Sequence, residues 1–132
     1  MNARRAGRAL TVAGAVAALA IGVTQSASAS ADGPTLCNPT GGACVWFTNN
    51  GDVIHIGDQS CDGHAAVAKV YVPEAGIADN IWNNLGCNTI ATYSYGTQMP
   101  ENVTVNYMPC LGQHTEGDPI TDCAPGWVHG TS

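Results

Sequence analysis

The chain has 132 residues, with ten Asp and Glu against four Lys and Arg. The three arginines, Arg4, Arg5 and Arg8, stand at the extreme N-terminus, so everything beyond them carries one base, Lys69, against ten carboxylates. Nucleic-acid and phosphate recognition both rest on Lys and Arg meeting anionic oxygens, and a single lysine does not supply that chemistry.

The first segment reads as a secretory signal. Three arginines precede "ALTVAGAVAALAIGV", an uncharged apolar run, and then "TQSASASA" with small residues at alternate positions. This is the n-, h- and cleavage-region order of a signal peptide, and the run is short for a membrane span. Cleavage after Ala29 and cleavage after Ala31 both satisfy the A-x-A pattern. The reading takes residues 1–31 as the signal, and expects a secreted, extracellular, monomeric protein with no membrane partner. What is left is about a hundred residues, enough for one small domain with a marginal core.

Six cysteines, Cys37, Cys44, Cys61, Cys87, Cys110 and Cys123, fall in that domain. An even count in an oxidising compartment predicts three disulfides. Closing local loops favours Cys37–Cys44, Cys61–Cys87 and Cys110–Cys123.

Residues 32–42 hold two prolines and three glycines with few apolar groups, and read as an extended arm pinned by Cys37. A single domain is then expected over 43–132. Asn50-Gly51 predicts a hairpin pairing Ala43–Thr48 with Asp52–Gly57, because both turn residues tolerate positive φ. Val45 and Phe47 share one face of the first strand, and Ile54 and Ile56 one face of the second. Asp62-Gly63 is a second turn signal, followed by a strand over His64–Pro73 with Ala66, Ala68, Val70 and Val72 on one side. Residues Glu74–Gly86 allow a loop with a short strand at Ile81 and Trp82, or a helical turn. Cys87–Gly96 is strand-like. In Glu101–Cys110, Val103, Val105 and Tyr107 alternate with Thr104, Asn106 and Met108. Leu111–Pro119 is a polar loop, and a last strand is expected near Ile120–Cys123. Six or seven short strands without an amphipathic helix predict an all-β fold, a small antiparallel β-sandwich of Ig-like or Greek-key type.

The densest polar cluster is "GDQSCDGH". Asp58, Ser60, Asp62 and Gly63 match the first half of a calcium loop, where alternate oxygens converge as the chain curls around the ion. The match stops at its last ligand, where Lys69 replaces the bidentate Glu. A turn with Asp62-Gly63 at its tip is the preferred reading, and no cofactor is expected. Catalytic patterns are thin: there is no G-x-S-x-G, and disulfide-bonded sulfurs are not nucleophiles. The chain is therefore read as non-enzymatic.

Aromatic rings favour binding. Trp82, Asn83, Asn84 and Tyr95 would suit a carbohydrate or cell-wall surface, the ring stacking on a sugar and the amides bonding its hydroxyls. Taken singly, Trp46 and Tyr107 read as core and Trp82 as a cap on one end of the sandwich. The alternative partner is an extracellular proteinase, inhibited by the "LGQHTEGDPITD" loop that Cys110 and Cys123 would staple.

The stretches "VWFTNNGDVIHIGDQSCDGHAAVAKVYV", "GCN" and "ENVTVNYMPCLG" resemble small secreted β-proteins of filamentous actinobacteria. That resemblance implies a secreted β-fold and no particular activity. In size class the chain is also similar to actinobacterial secreted proteinase inhibitors, some with a crystallin-like Greek-key fold.

Overall fold

The computed structural model describes residues 30–132, so all but the last two residues of the expected signal segment lie outside it. The described chain forms two antiparallel sheets and no α-helix. The first sheet contains β1 (Leu36–Cys37), β2 (Ala43–Thr48), β3 (Val53–Asp58) and β6 (Thr89–Ser94), in the order β1-β2-β3-β6. The second contains β4 (Ala65–Val72), β5 (Ile77–Trp82), β7 (Thr104–Gly112), β8 (Ile120–Thr121) and β9 (Val128–Thr131). Its order is β5-β4-β7-β8, with β9 also paired to β7. The fold is a small β-sandwich, as the strand pattern predicts.

Alternation explains which residues meet between the sheets. Val45 sits opposite Ile56 and Phe47 opposite Ile54, and all four are buried. From the other sheet, Ala66, Ala68, Val70 and Val72 of β4 face Val105, Tyr107 and Leu111 of β7 in the same core. Tyr107 donates its hydroxyl to the Pro34 carbonyl, and burial pushes its pKa up to about 12. The same alternation places Trp46 outside. It is only half-buried and stacks on His55 at 4.9 Å on the outer face, which corrects its assignment to the core.

The hairpin forms over Thr48 and Val53 in register. Its left-handed residues are Gly51 and Asp52, one position later than Asn50-Gly51. The Asp62-Gly63 turn joins no hairpin. It carries the chain from β3 in one sheet to β4 in the other, with Gly63 at φ +82°.

Residues 73–86 contain both expected alternatives. A short 3-10 turn, Pro73–Ala75, leads into a full strand, β5. Two pairings escape the sequence reading. β1 lies in the arm and pairs with β2, and β9 docks on β7 beyond the last expected strand.

The disulfides are Cys37–Cys44, Cys61–Cys87 and Cys110–Cys123. Cys61–Cys87 ties the inter-sheet crossing to the start of β6. It is this end of the sandwich that gathers the polar candidates.

Candidate functional site

The crossing from β3 to β4 is built from two successive side-chain-to-backbone turns. Asp58 ends β3 on its inner face and is buried; its Oδ1 accepts the Ser60 amide at 3.3 Å. Desolvation by burial raises its pKa, while that amide bond works in the opposite direction. Asp62 Oδ1 accepts the His64 amide at 2.9 Å. His64 Nδ1 lies 3.4 Å from the same oxygen and has no hydrogen-bond partner, although it is buried.

This geometry bears on the calcium reading. Each carboxylate closes its own turn, and Lys69, the would-be last ligand, sits in the middle of β4. Among the described residues no three His, Cys, Asp or Glu side chains gather to hold a metal ion. The motif acts as a turn because these short side chains satisfy the backbone themselves.

Asn83 stands just beyond β5 and is 1% exposed. Its Nδ2 donates to the Ile56 carbonyl at 3.0 Å and to the Thr89 carbonyl at 3.1 Å. Its Oδ1 accepts the Leu85 amide at 2.9 Å, and its own amide bonds the Ala66 carbonyl. The residue therefore fastens β3 and β6 of one sheet to β4 of the other. It is a structural tie and not a surface amide, a correction to its place among the ligand candidates.

Tyr95 is corrected on the same ground. It is 3% exposed, and its hydroxyl donates to Asp79 Oδ2 at 3.0 Å. Burial, then the Asp79 carboxylate, raise its pKa. It closes the far side of the core, away from Asn83 and Asn84.

Trp82 points outward from β5, but neither face of its ring is open. A Cβ on Gly112 would fall 2.3 Å from its Cη2 and Cζ3, so the ring lies directly over the glycine. His114 covers it from outside, with ring centroids 4.5 Å apart. His114 Nε2 lies 2.8 Å from Asn84 Oδ1, and its Nδ1 is 3.6 Å from Asp118 Oδ1. Asn84 and His114 are both exposed.

These pieces enclose an open groove of about 650 Å³. Ser60, His64, Asn84 and His114 present polar groups to it, the Cys61–Cys87 disulfide contributes sulfur surface, and Asp58 lies beneath. The structure thus brings Asp58, Ser60 and His64 of one candidate cluster together with Asn83 and Asn84 of the other, while Trp82 does not line the groove. His114 is the participant the sequence did not single out. Its only sequence signal was its position inside the loop closed by Cys110–Cys123.

That loop is curled. Asp118 donates its amide to the Thr115 carbonyl at 2.9 Å and Gln113 donates to the Pro119 carbonyl at 3.1 Å. Gly117 and Asp118 are both left-handed.

No helix among the described residues is long and apolar enough to cross a membrane. In comparisons with known proteins, no family model, curated sequence or solved structure matches the chain.

Proposed function

We propose that the protein is an extracellular binding protein whose groove takes a neutral, hydroxyl-rich ligand, a segment of carbohydrate chain. The observation that carries this reading is the convergence of Ser60, His64, Asn84 and His114 on one open groove held rigid by a disulfide and by Asn83. Its volume falls in the range of about 300–1,000 Å³ usual for small-ligand sites. Hydroxyl, amide and imidazole groups match sugar hydroxyls as donors and acceptors alike. An anionic ligand would meet the Asp58 carboxylate among the lining groups, in a chain with nine more acids than bases outside its first residues.

Three disulfides in a domain this small suit an extracellular setting. The reading is of non-catalytic binding, because the catalytic patterns in the sequence are thin. The inhibitor alternative keeps its disulfide-closed loop, curled by the Asp118–Thr115 and Gln113–Pro119 bonds.

The test is co-sedimentation with insoluble neutral polysaccharides. Retention is expected, and Asn84→Ala should abolish it without altering the fold. Absence of retention across cellulose, chitin, xylan and mannan would overturn the reading.

A further inference from the structure

The outer face of the five-stranded sheet carries a second depression, apart from the groove. Side chains alternate out of β4 at Lys69 and Tyr71, and the strand register sets Lys69 between Asn80 of β5 and Met108 of β7. Tyr71 lies between Ala78 and Asn106 in the same way, and Asn106 Nδ2 donates to the Tyr71 carbonyl at 3.1 Å. Trp127 comes in from the segment before β9. A shallow depression of about 180 Å³ opens between these groups, lined by Lys69, Tyr71, Asn80 and Trp127.

Two features single this surface out. Tyr71 and Trp127 are 48% and 47% exposed, and both line the depression. Neither is needed by the core cluster. The second feature is Lys69, the only Lys or Arg among the described residues. Ten carboxylates share the described chain with it, yet the ion pairs found there belong to His64 and His114. The flanking register partners of Lys69 are neutral. Asp79 also lines the depression and is exposed, and its Oδ2 accepts the Tyr95 hydroxyl.

An unpaired ammonium beside two half-exposed rings selects a definite chemistry. The rings offer flat apolar area at low entropic cost, and the ammonium offers a point charge to one anionic substituent. We infer that this face binds an acidic sugar, a uronic-acid unit within an otherwise neutral glycan. Its ring lies against Tyr71 and Trp127, its carboxylate meets Lys69, and Asn80 bonds an adjacent hydroxyl. The excess of acids over the whole chain repels a densely charged polyanion, so the fit is to isolated carboxylates. The inference stands independently of the groove, since it uses none of its residues.

The experiment is a titration of the full-length mature protein, followed by side-chain and amide NMR shifts. The probes are a glucuronic-acid–glucose disaccharide and the same disaccharide with its carboxyl reduced to the alcohol. Shifts are expected at the Trp127 indole and at Tyr71, with the acidic probe bound about five-fold tighter, as one partly exposed ion pair supplies. Lys69→Met should equalise the two probes while leaving ring shifts in place. Trp127→Ala should weaken the shifts that both probes cause at Tyr71. Lys69 and Trp127 are outward-facing, so unchanged thermal unfolding confirms that the fold is intact. Equal affinity of the native protein for the two probes, an acidic preference that survives Lys69→Met, or tighter binding of a Glu-containing peptide than of the sugar would each overturn the inference.

Discussion

Ala31 and Thr131 exchange two backbone hydrogen bonds, each 2.9 Å, as an antiparallel bridge beside β9. The contact continues into the fold: Asp32 Oδ1 accepts the Asn49 amide at 2.8 Å and Gly33 donates to the Phe47 carbonyl at 3.0 Å. Of the two cuts expected from the A-x-A patterns, only the one after Ala29 would keep the Ala31 pair.

The first prediction follows from that bridge. A chain beginning at Asp32 loses both bonds and should be less stable than one beginning at Ser30 by about 1–2 kcal/mol, two ordinary hydrogen bonds at a chain end. Urea unfolding of the two lengths measures it. Coincident midpoints would show that the bridge contributes nothing.

Asn83 is the second. Asn83→Ala leaves the Ile56 and Thr89 carbonyls and the Leu85 amide without the partners they have in the native protein. The Ile56 bond is buried and the Thr89 and Leu85 bonds are partly buried, and an unsatisfied buried group costs about 1–3 kcal/mol, so a loss of that size is expected. Denaturant midpoints decide it, and a change below about 0.5 kcal/mol, the size of a neutral surface substitution, would contradict the role as a tie.

Gly112 supplies a third. A methyl group there meets Trp82 at 2.3 Å and Val67 Cγ2 at 2.7 Å. Gly112→Ala must displace the indole, at about 1–3 kcal/mol of overpacking, and with it the His114 ring resting on the indole. Near-ultraviolet circular dichroism should change along with the unfolding midpoint. An unchanged spectrum would mean that Trp82 is not seated on the glycine.

A pH dependence is the fourth. Burial raises the carboxyl of Asp58, and burial followed by Glu101 raises that of Asp52. Each folded-state pKa lies above the ordinary value of 3.8, so the folded protein holds these protons more tightly than the unfolded chain. Their contribution is full below that value and is lost as pH rises through the folded-state values. Stability carried by these two groups therefore declines with pH above the ordinary carboxylate range. Asp52→Asn with Asp58→Asn should flatten that decline and raise stability at neutral pH. Asn also suits the left-handed backbone at 52, where φ is +52°. A double variant with an unaltered pH profile would contradict the buried-carboxyl account.

Much of this architecture was legible because alternation in short strands is a direct record of burial. Val45, Phe47, Ile54 and Ile56 announced the core of one sheet, and Ala66 to Val72 that of the other. The same rule applied strictly would have put Trp46 outside, since its neighbours on both sides point in; large size was a poorer guide than parity. What stayed hidden depended on pairings between distant segments. β1 is two residues long, and β9 carries no clear alternation in "VHGT". Asn83 looked like a ligand amide because its position in "DNIWNN" shows nothing of Ile56, twenty-seven residues away. The groove itself needed the crossing of β3 to β4, which no local turn signal distinguishes from a hairpin.

The groove is the central claim, and NMR shift mapping with a neutral oligosaccharide tests it most directly. Titration with cello- or chito-oligosaccharides should perturb the imidazole signals of His64 and His114 and the side-chain amide of Asn84 in one saturable transition. His114→Ala should weaken that transition about ten-fold, the value of one good hydrogen bond with its ring contact. Perturbations absent at all three residues, or confined to other faces of the sandwich, would contradict it.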